Sequence, residues 1–230
     1  IGVVIDNSKD LEVLTKYGNF ISIRWNEDLK WARPYISENR RGARPRSFSD
    51  ITKLGDIVWL SKDNVTQTIS LTQIPEVQSA LISIDPKSGS ILASVGGYDF
   101  FLSKFNRVDQ ASPLLGSNFK PFLYAAAFSN EFTPSSVIND APIIFEDEAL
   151  EEKWRPRNAS GKFYGPTRLR EGLVQSRNLV SVRLLRELGV DKVRTFAEKF
   201  GFDKQRLPAD LSLSLGTASL NPLSNAVAYS

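Results

Sequence analysis

One change of hydrophobic period along this chain constrains its fold more than any other feature. Up to about residue 95 the apolar residues alternate or gather in short β-branched runs, and after residue 116 they repeat at helical spacing. Residues 2–5, 11–14 and 20–23 are such runs, separated by the turn signals Asp6-Asn7-Ser8 and Tyr17-Gly18-Asn19. Another run, 56–60, follows a polar stretch, 38–46, that carries Arg40, Arg41, Arg44 and Arg46 and offers no apolar anchor. Residues 1–68 are therefore expected to form a small all-β domain, a partial barrel. Runs 80–85 and 90–95, joined by Pro86-Lys87-Ser88-Gly89, predict a hairpin at the start of a second domain over 69–230. Beyond it, helices are expected over 119–128 and over 166–175, with Pro166 near the start of the second. Leu179, Val182, Leu185 and Leu188 mark one face of a third helix ending at Gly189. Asp191 is placed to cap a fourth, running to Phe200 and closed by Gly201. Strands first and helices afterwards specify an α+β fold rather than alternating βαβ units.

Composition then narrows the chemistry. The 230 residues include no Cys, no His and no Met. That excludes a thiol nucleophile, a Ser-His-Asp triad, disulfides and the usual zinc, haem or iron–sulfur ligand sets, so no metal or cofactor is expected. Covalent or acid–base work must fall to Ser, Thr, Tyr, Lys, Asp or Glu. Lys and Arg number 29 against 26 Asp and Glu, and the resulting +3 is too small to mark a nucleic-acid surface. No apolar run approaches 18 residues, and no signal peptide opens the chain. A start at Ile1-Gly2-Val3 without any Met is expected of an interior piece of a longer protein or of a processed one.

With Cys and His gone, a serine activated by lysine is the natural search. Ser117-Asn118-Phe119-Lys120 is the only S-x-x-K in the chain, and residues three apart on a helix share a face. Lys120 Nζ can thus reach Ser117 Oγ at the start of the 119–128 helix. Phe119, Pro121 and Phe122 flank Lys120, and burial among them disfavours its charged form. The plainer alternative is a capping serine followed by a snorkelling lysine. Ser176-Arg177-Asn178 supplies a hydroxyl and an amide at a break between two helices. Ser37-Glu38-Asn39 matches the same short pattern, and Asn178 could equally cap the helix beginning near Leu179. Lys87-Ser88-Gly89 has the form of the third motif of penicillin-recognising sites, but it lies in a hairpin turn ahead of the serine, where the lysine faces solvent. The third motif is expected beyond Ser230.

Taken together, residues 80–100, 105–107, 116–124, 154–158, 164–166, 169–185, 200–202 and 213–222 resemble, in order and spacing, the transpeptidase domain of class A (bifunctional) penicillin-binding proteins, most closely the Gram-negative 1A type. The likeness covers about residues 73–230. The block Trp31-Ala32-Arg33-Pro34-Tyr35 resembles the OB-like insertion that precedes that domain. The resemblance implies a serine β-lactamase/transpeptidase-like domain, incomplete at its C-terminus, after a small OB-like domain.

It also implies roles. Ser117 is the acyl-accepting nucleophile, Lys120 its base, Ser176 a proton relay and Asn178 a hydrogen-bonding partner of the donor amide. Half of an oxyanion hole comes from the Ser117 N–H. The implied substrates are peptidoglycan stem peptides ending in D-Ala–D-Ala, with β-lactams as covalent inhibitors. The implied protein is anchored in the inner membrane, works on the periplasmic side and carries a glycosyltransferase domain. Arg40, Arg41, Arg44 and Arg46 become candidate contacts for an outer-membrane lipoprotein activator. A penicillin-binding sensor or an inactive cell-wall scaffold is the alternative, and a β-lactamase is disfavoured because nothing suggests a deacylating glutamate.

Overall fold

The computed structural model describes residues 1–143 and 154–230. The chain forms two compact units, Ile1–Val77 and Gln78–Ser230. In the first, strands β1 (Gly2–Asp6), β2 (Leu11–Thr15) and β3 (Phe20–Ile23) precede a short ribbon of β4 (Tyr35–Ser37) and β5 (Arg40–Arg41). β6 (Ile57–Lys62) and β7 (Ile69–Thr72) follow. The five longer strands are ordered β3-β2-β1-β6-β7, and β7 returns close to β3, so the sheet curls towards a barrel. Period-2 alternation sends Val4, Leu11, Val13, Ile23 and Val58 inwards, where Leu29 and Phe48 complete the core. Trp25 meets Phe48 edge-on at 5.3 Å between ring centres.

Two expectations for this unit need correction. Its boundary lies after Val77 rather than near residue 68, because Ile69–Thr72 pairs antiparallel with β6 and closes the sheet. The polar stretch over 38–46 is anchored: Pro45 is buried, and Arg40–Arg41 pairs with β4.

The second unit is α+β. It opens on the hairpin of β8 (Leu81–Ile84) and β9 (Ile91–Val95), whose turn is held by Asp85 accepting from Lys87 N and Ser88 Oγ. Lys87 is exposed there, as its place in a turn requires. A 3-10 turn over Gly116–Phe119 leads directly into α1 (Lys120–Phe128). β10 (Val137–Asp140) pairs antiparallel with β11 (Gly165–Arg168), and α2 (Leu169–Val174) follows at once. The helix expected over 166–175 therefore begins only at Leu169. Pro166 instead lies opposite Asn139 in a two-stranded ladder, where a residue without an N–H is tolerated.

α3 (Asn178–Leu188) stops at Gly189, as its apolar face predicts. α4 (Val190–Ala197) is shorter than expected and passes into a 3-10 turn over Glu198–Phe200 before Gly201, which adopts the left-handed conformation. Asp191 does not cap α4; Gly189 holds that position, and Asp191 pairs with Arg194 and Lys204. α5 (Pro222–Tyr229) starts behind Asn221, whose side chain accepts from Ser224 N. Phe122 on α1 is ringed by Phe119, Phe200, Phe202 and Tyr229, all within 6.1 Å between ring centres. This aromatic cluster seats α1 among the helices and sets the lysine at its start.

Candidate active site

The 3-10 turn that carries Ser117 is built from two crossing backbone segments. Leu115 N donates to Ala218 O, and Gly116 N donates to Gly216 O. Gly116 and Gly216 both have positive φ, and a Cβ on Gly216 would overlap Gly116 O. Only glycine allows that approach. Tyr229 Oη donates to Asn118 O at 2.7 Å, so α5 braces the same turn. The chain thus enters α1 with Ser117 and Lys120 one helical turn apart.

Lys120 is 1% exposed, among the most deeply buried side chains of the molecule. Its Nζ donates to Ser176 O at 2.7 Å, to Ser176 Oγ at 3.0 Å and to Asn178 Oδ1 at 2.7 Å. Ser176 Oγ in turn donates to Ser117 Oγ at 3.0 Å. The lysine therefore reaches the serine through a second hydroxyl rather than by the direct contact expected from the i, i+3 spacing. Burial lowers the Lys120 pKa from 10.5 to about 8, since the ammonium loses hydration that neutral acceptors only partly replace.

Ser176 sits at φ +51, a left-handed backbone uncommon for serine. Ser176 N donates to Leu173 O and Arg177 N to Gly172 O, which curls the chain between α2 and α3 and aims the hydroxyl at Ser117. Asn178 is the first residue of α3, and Arg177 rather than Asn178 occupies the N-cap position. The Asn178 Nδ2 donates to Arg157 O at 2.8 Å, which turns Oδ1 towards Lys120. The four residues singled out in the sequence, Ser117, Lys120, Ser176 and Asn178, thus form one hydrogen-bonded cluster. Chemically, the cluster joins an accessible hydroxyl, a relay hydroxyl and a buried amine that can carry or release a proton near neutral pH. Among the described residues, no group of His, Cys, Asp and Glu side chains is placed to hold a metal ion.

Asn158 and Asp140 are not singled out by the sequence. Asn158 lies behind Asn178 and accepts from the N–H groups of Asn178 and Leu179, while its Nδ2 donates to the fully buried Asp140. Its only sequence signal is membership of the Trp154–Asn158 block.

The four arginines belong to the first unit. Arg44 and Arg46 border one of about 760 Å³ with Trp25 and Asp50. Arg41 borders another of about 860 Å³ with Trp31 and Tyr35, and its guanidinium lies 5.1 Å from the Tyr35 ring centre. Arg40 is exposed on β5.

Comparison with known proteins agrees with both units. Residues 1–77 match the penicillin-binding protein OB-like domain, and residues 80–225 match the penicillin binding protein transpeptidase domain. The chain is 45% identical over 218 residues to penicillin-binding protein 1A of Pseudomonas aeruginosa, covering 95% of this chain and 26% of that protein. It is 44% identical over 203 residues to penicillin-binding protein 1A of Escherichia coli, covering 88% and 24%. The crystal structure of penicillin-binding protein 1A from Haemophilus influenzae superposes with a TM-score of 0.82 at 33% identity, over 99% of this chain and 32% of that one. The chain thus spans about a quarter of the length of the curated relatives it matches. No described helix is long and apolar enough to cross a membrane. A transpeptidase match over most of the second unit and an OB-like match over the first place this chain in the penicillin-binding protein transpeptidase family, in its class A, Gram-negative 1A-like branch.

Proposed function

We propose that the second unit is a peptidoglycan DD-transpeptidase in which Ser117 is the nucleophile. The observation that carries this reading is the hydrogen-bonded string from buried Lys120 Nζ through Ser176 Oγ to Ser117 Oγ. With Lys120 protonated, each donor in the string points towards Ser117. With Lys120 neutral, the string can reverse: Ser117 donates to Ser176, and Ser176 donates to Nζ. A pKa of about 8 leaves about a tenth of the lysine neutral at pH 7, enough to start the reaction.

In the reaction, Ser117 Oγ bonds to the carbonyl carbon of the penultimate D-Ala while its proton passes through Ser176 to Lys120. The C–N bond to the terminal D-Ala then breaks, and the departing amine takes that proton back along the same path. An amine on a neighbouring stem peptide attacks the Ser117 ester, restoring the hydroxyl and forming the cross-link. Asn178 orients the donor amide, and the Ser117 N–H, in the first turn where helical N–H groups lack an intrahelical acceptor, polarises the carbonyl. A β-lactam enters by the same attack and leaves its opened ring as an ester on Ser117.

The test is intact mass after treatment of the protein, as its gene encodes it, with penicillin, together with D-Ala release from a stem peptide. One covalent adduct that disappears in Ser117→Ala is expected. An adduct that survives the substitution would sink the assignment. For the whole protein, family likeness supports a glycosyltransferase domain, an inner-membrane anchor and a periplasmic active site. It also supports an outer-membrane lipoprotein activator. Arg41, which lines a depression with Trp31 and Tyr35, is the contact proposed for it among the four arginines. Unchanged activator binding by Arg41→Glu would count against that assignment.

A further inference from the structure

Both ends of one buried side-chain amide are engaged behind the cluster. Asn158 is 6% exposed, and Asp140, at the end of β10, is fully buried. Asn158 Nδ2 donates to both carboxylate oxygens of Asp140, at 2.7 and 3.0 Å, and to Lys162 O at 2.9 Å. Asn158 Oδ1 accepts from Asn178 N at 2.9 Å and from Leu179 N at 3.3 Å, the first N–H groups of α3. The neighbouring Arg157 O takes the Asn178 side-chain amide. Two adjacent residues therefore grip Asn178 by backbone and side chain at once, leaving its Oδ1 to face Lys120.

We propose that Asn158, oriented by Asp140, is a positioning residue for acylation, fixing the Ser176–Asn178 turn and through it Lys120 and Ser117. This rests on the transpeptidase reading above. A simple helix cap does not need this arrangement. Caps are normally supplied by a Ser, Thr, Asp or Asn at the N-cap itself, and here that position is Arg177 with no side-chain cap bond. The cap comes instead from a residue twenty positions away. That residue is itself held by a carboxylate whose burial costs free energy unless its hydrogen bonds are made. Asparagine is the residue that fits. Aspartate at 158 could not donate to Asp140, and an apolar residue would leave both Asp140 and the α3 N–H groups unpaired.

The test separates binding from chemistry by measuring penicillin acylation at rising concentration. For Asn158→Ala we expect the acylation rate at saturation to fall about 100-fold with half-saturation little changed, as for a sub-ångström loss of alignment. Asp140→Asn keeps an acceptor for Asn158 and should lose only a few-fold, and it decides the matter if Asn158→Ala does not fold. Val193→Ala, a core change on α4, serves as the control for lost stability alone. An Asn158→Ala rate at saturation equal to wild type, or a loss no greater than in Val193→Ala, overturns the proposal. So does an Asp140→Asn protein whose saturating rate equals wild type. Absence of any wild-type adduct would instead refute the transpeptidase reading itself.

Discussion

The two units bury different kinds of atoms. In Ile1–Val77 the interior is apolar, and its one buried polar side chain among the described residues, Thr52, is satisfied by donating to Phe48 O and accepting from Asn7. In Gln78–Ser230 the interior holds Lys120, Asp140, Asn158 and Ser181 beside its Phe and Leu core. Buried polar groups are costly unless paired, so a unit that keeps several of them near one another is organised for something besides stability. The first unit can be read as packing. The second packs around a hydrogen-bonded cluster of buried polar groups, which the proposed mechanism uses as a proton path.

The sharpest way to break that contrast is to remove the buried charge. Lys120→Met keeps the length of the side chain and deletes the amine. Without a base, the Ser117 proton has no acceptor in the cluster, and acylation should fall by at least about 10³-fold. Stability should change much less, with Tm within a few degrees of wild type. The methionine no longer carries a buried ammonium, which offsets the acceptors left unpaired at Ser176 and Asn178. Stopped-flow acylation with a fluorescent penicillin and calorimetry on the same sample decide it. Near-wild-type acylation would remove Lys120 from the mechanism.

The opposite result is expected in the first unit. Phe48 is fully buried and packs edge-on against Trp25, so Phe48→Ala should cost about 3–5 kcal/mol of that unit's stability by transfer loss and cavity formation. Folded molecules should acylate at wild-type rate. Denaturant unfolding followed by Trp fluorescence measures the first effect, and penicillin labelling the second. A matching drop in acylation would mean that the apolar core and the proposed proton path are coupled.

How far the sequence reveals each region follows from the range of the contacts involved. Ser117 and Lys120 are three residues apart, so helical geometry alone pairs them. Ser176 and Asn178 stand out only as a short pattern at a break between helices, and the structure brings them to Lys120 across 56 and 58 positions. Asn158, Asp140 and Gly216 give no local signal because their significance lies wholly in distant partners. Gly216 acquires its meaning only when Gly116 O is found against it, a hundred residues earlier in the chain. The same blindness misplaces the start of α2. Pro166 suits a first helical turn and an edge strand equally well, and the pairing with Val137–Asp140 chooses the strand. It also ends the first unit too early, since the strand Ile69–Thr72 belongs to a sheet whose other members begin at Gly2. Period and caps are local properties; closure of a sheet and the filling of a turn are not.

The mildest perturbation, a change of pH, should touch the two units at different places on the scale. In the first, Asp6, Asp50 and Asp63 have pKa values held below 3.8, chiefly by backbone N–H groups in turns, so their loss is felt only in acid. The Asp63 carboxylate takes two such N–H groups, from Val65 and Thr66. Stability from these groups is present above the unfolded carboxylate pKa and is lost as pH falls through their lowered values. In the second unit the titrating group of interest is Lys120, lowered from 10.5 to about 8 by burial. Below about pH 8 it is protonated in the folded protein, and the cost of burying the ammonium is felt in full. Between about 8 and 10.5 the unfolded chain binds more protons than the folded one, so this group's contribution to stability improves as pH rises. Acylation should follow the same proton. It should climb about tenfold per pH unit from about 6 towards 8 and level off above, since only the neutral amine can accept from Ser176. The pH profile of acylation at limiting penicillin, with folding checked by circular dichroism at each point, tests both halves. A rate that stays flat from about pH 6 to 9 would mean that the proton leaving Ser117 does not go to Lys120. The contrast between a packed unit and a proton-conducting one would then lose its chemical basis.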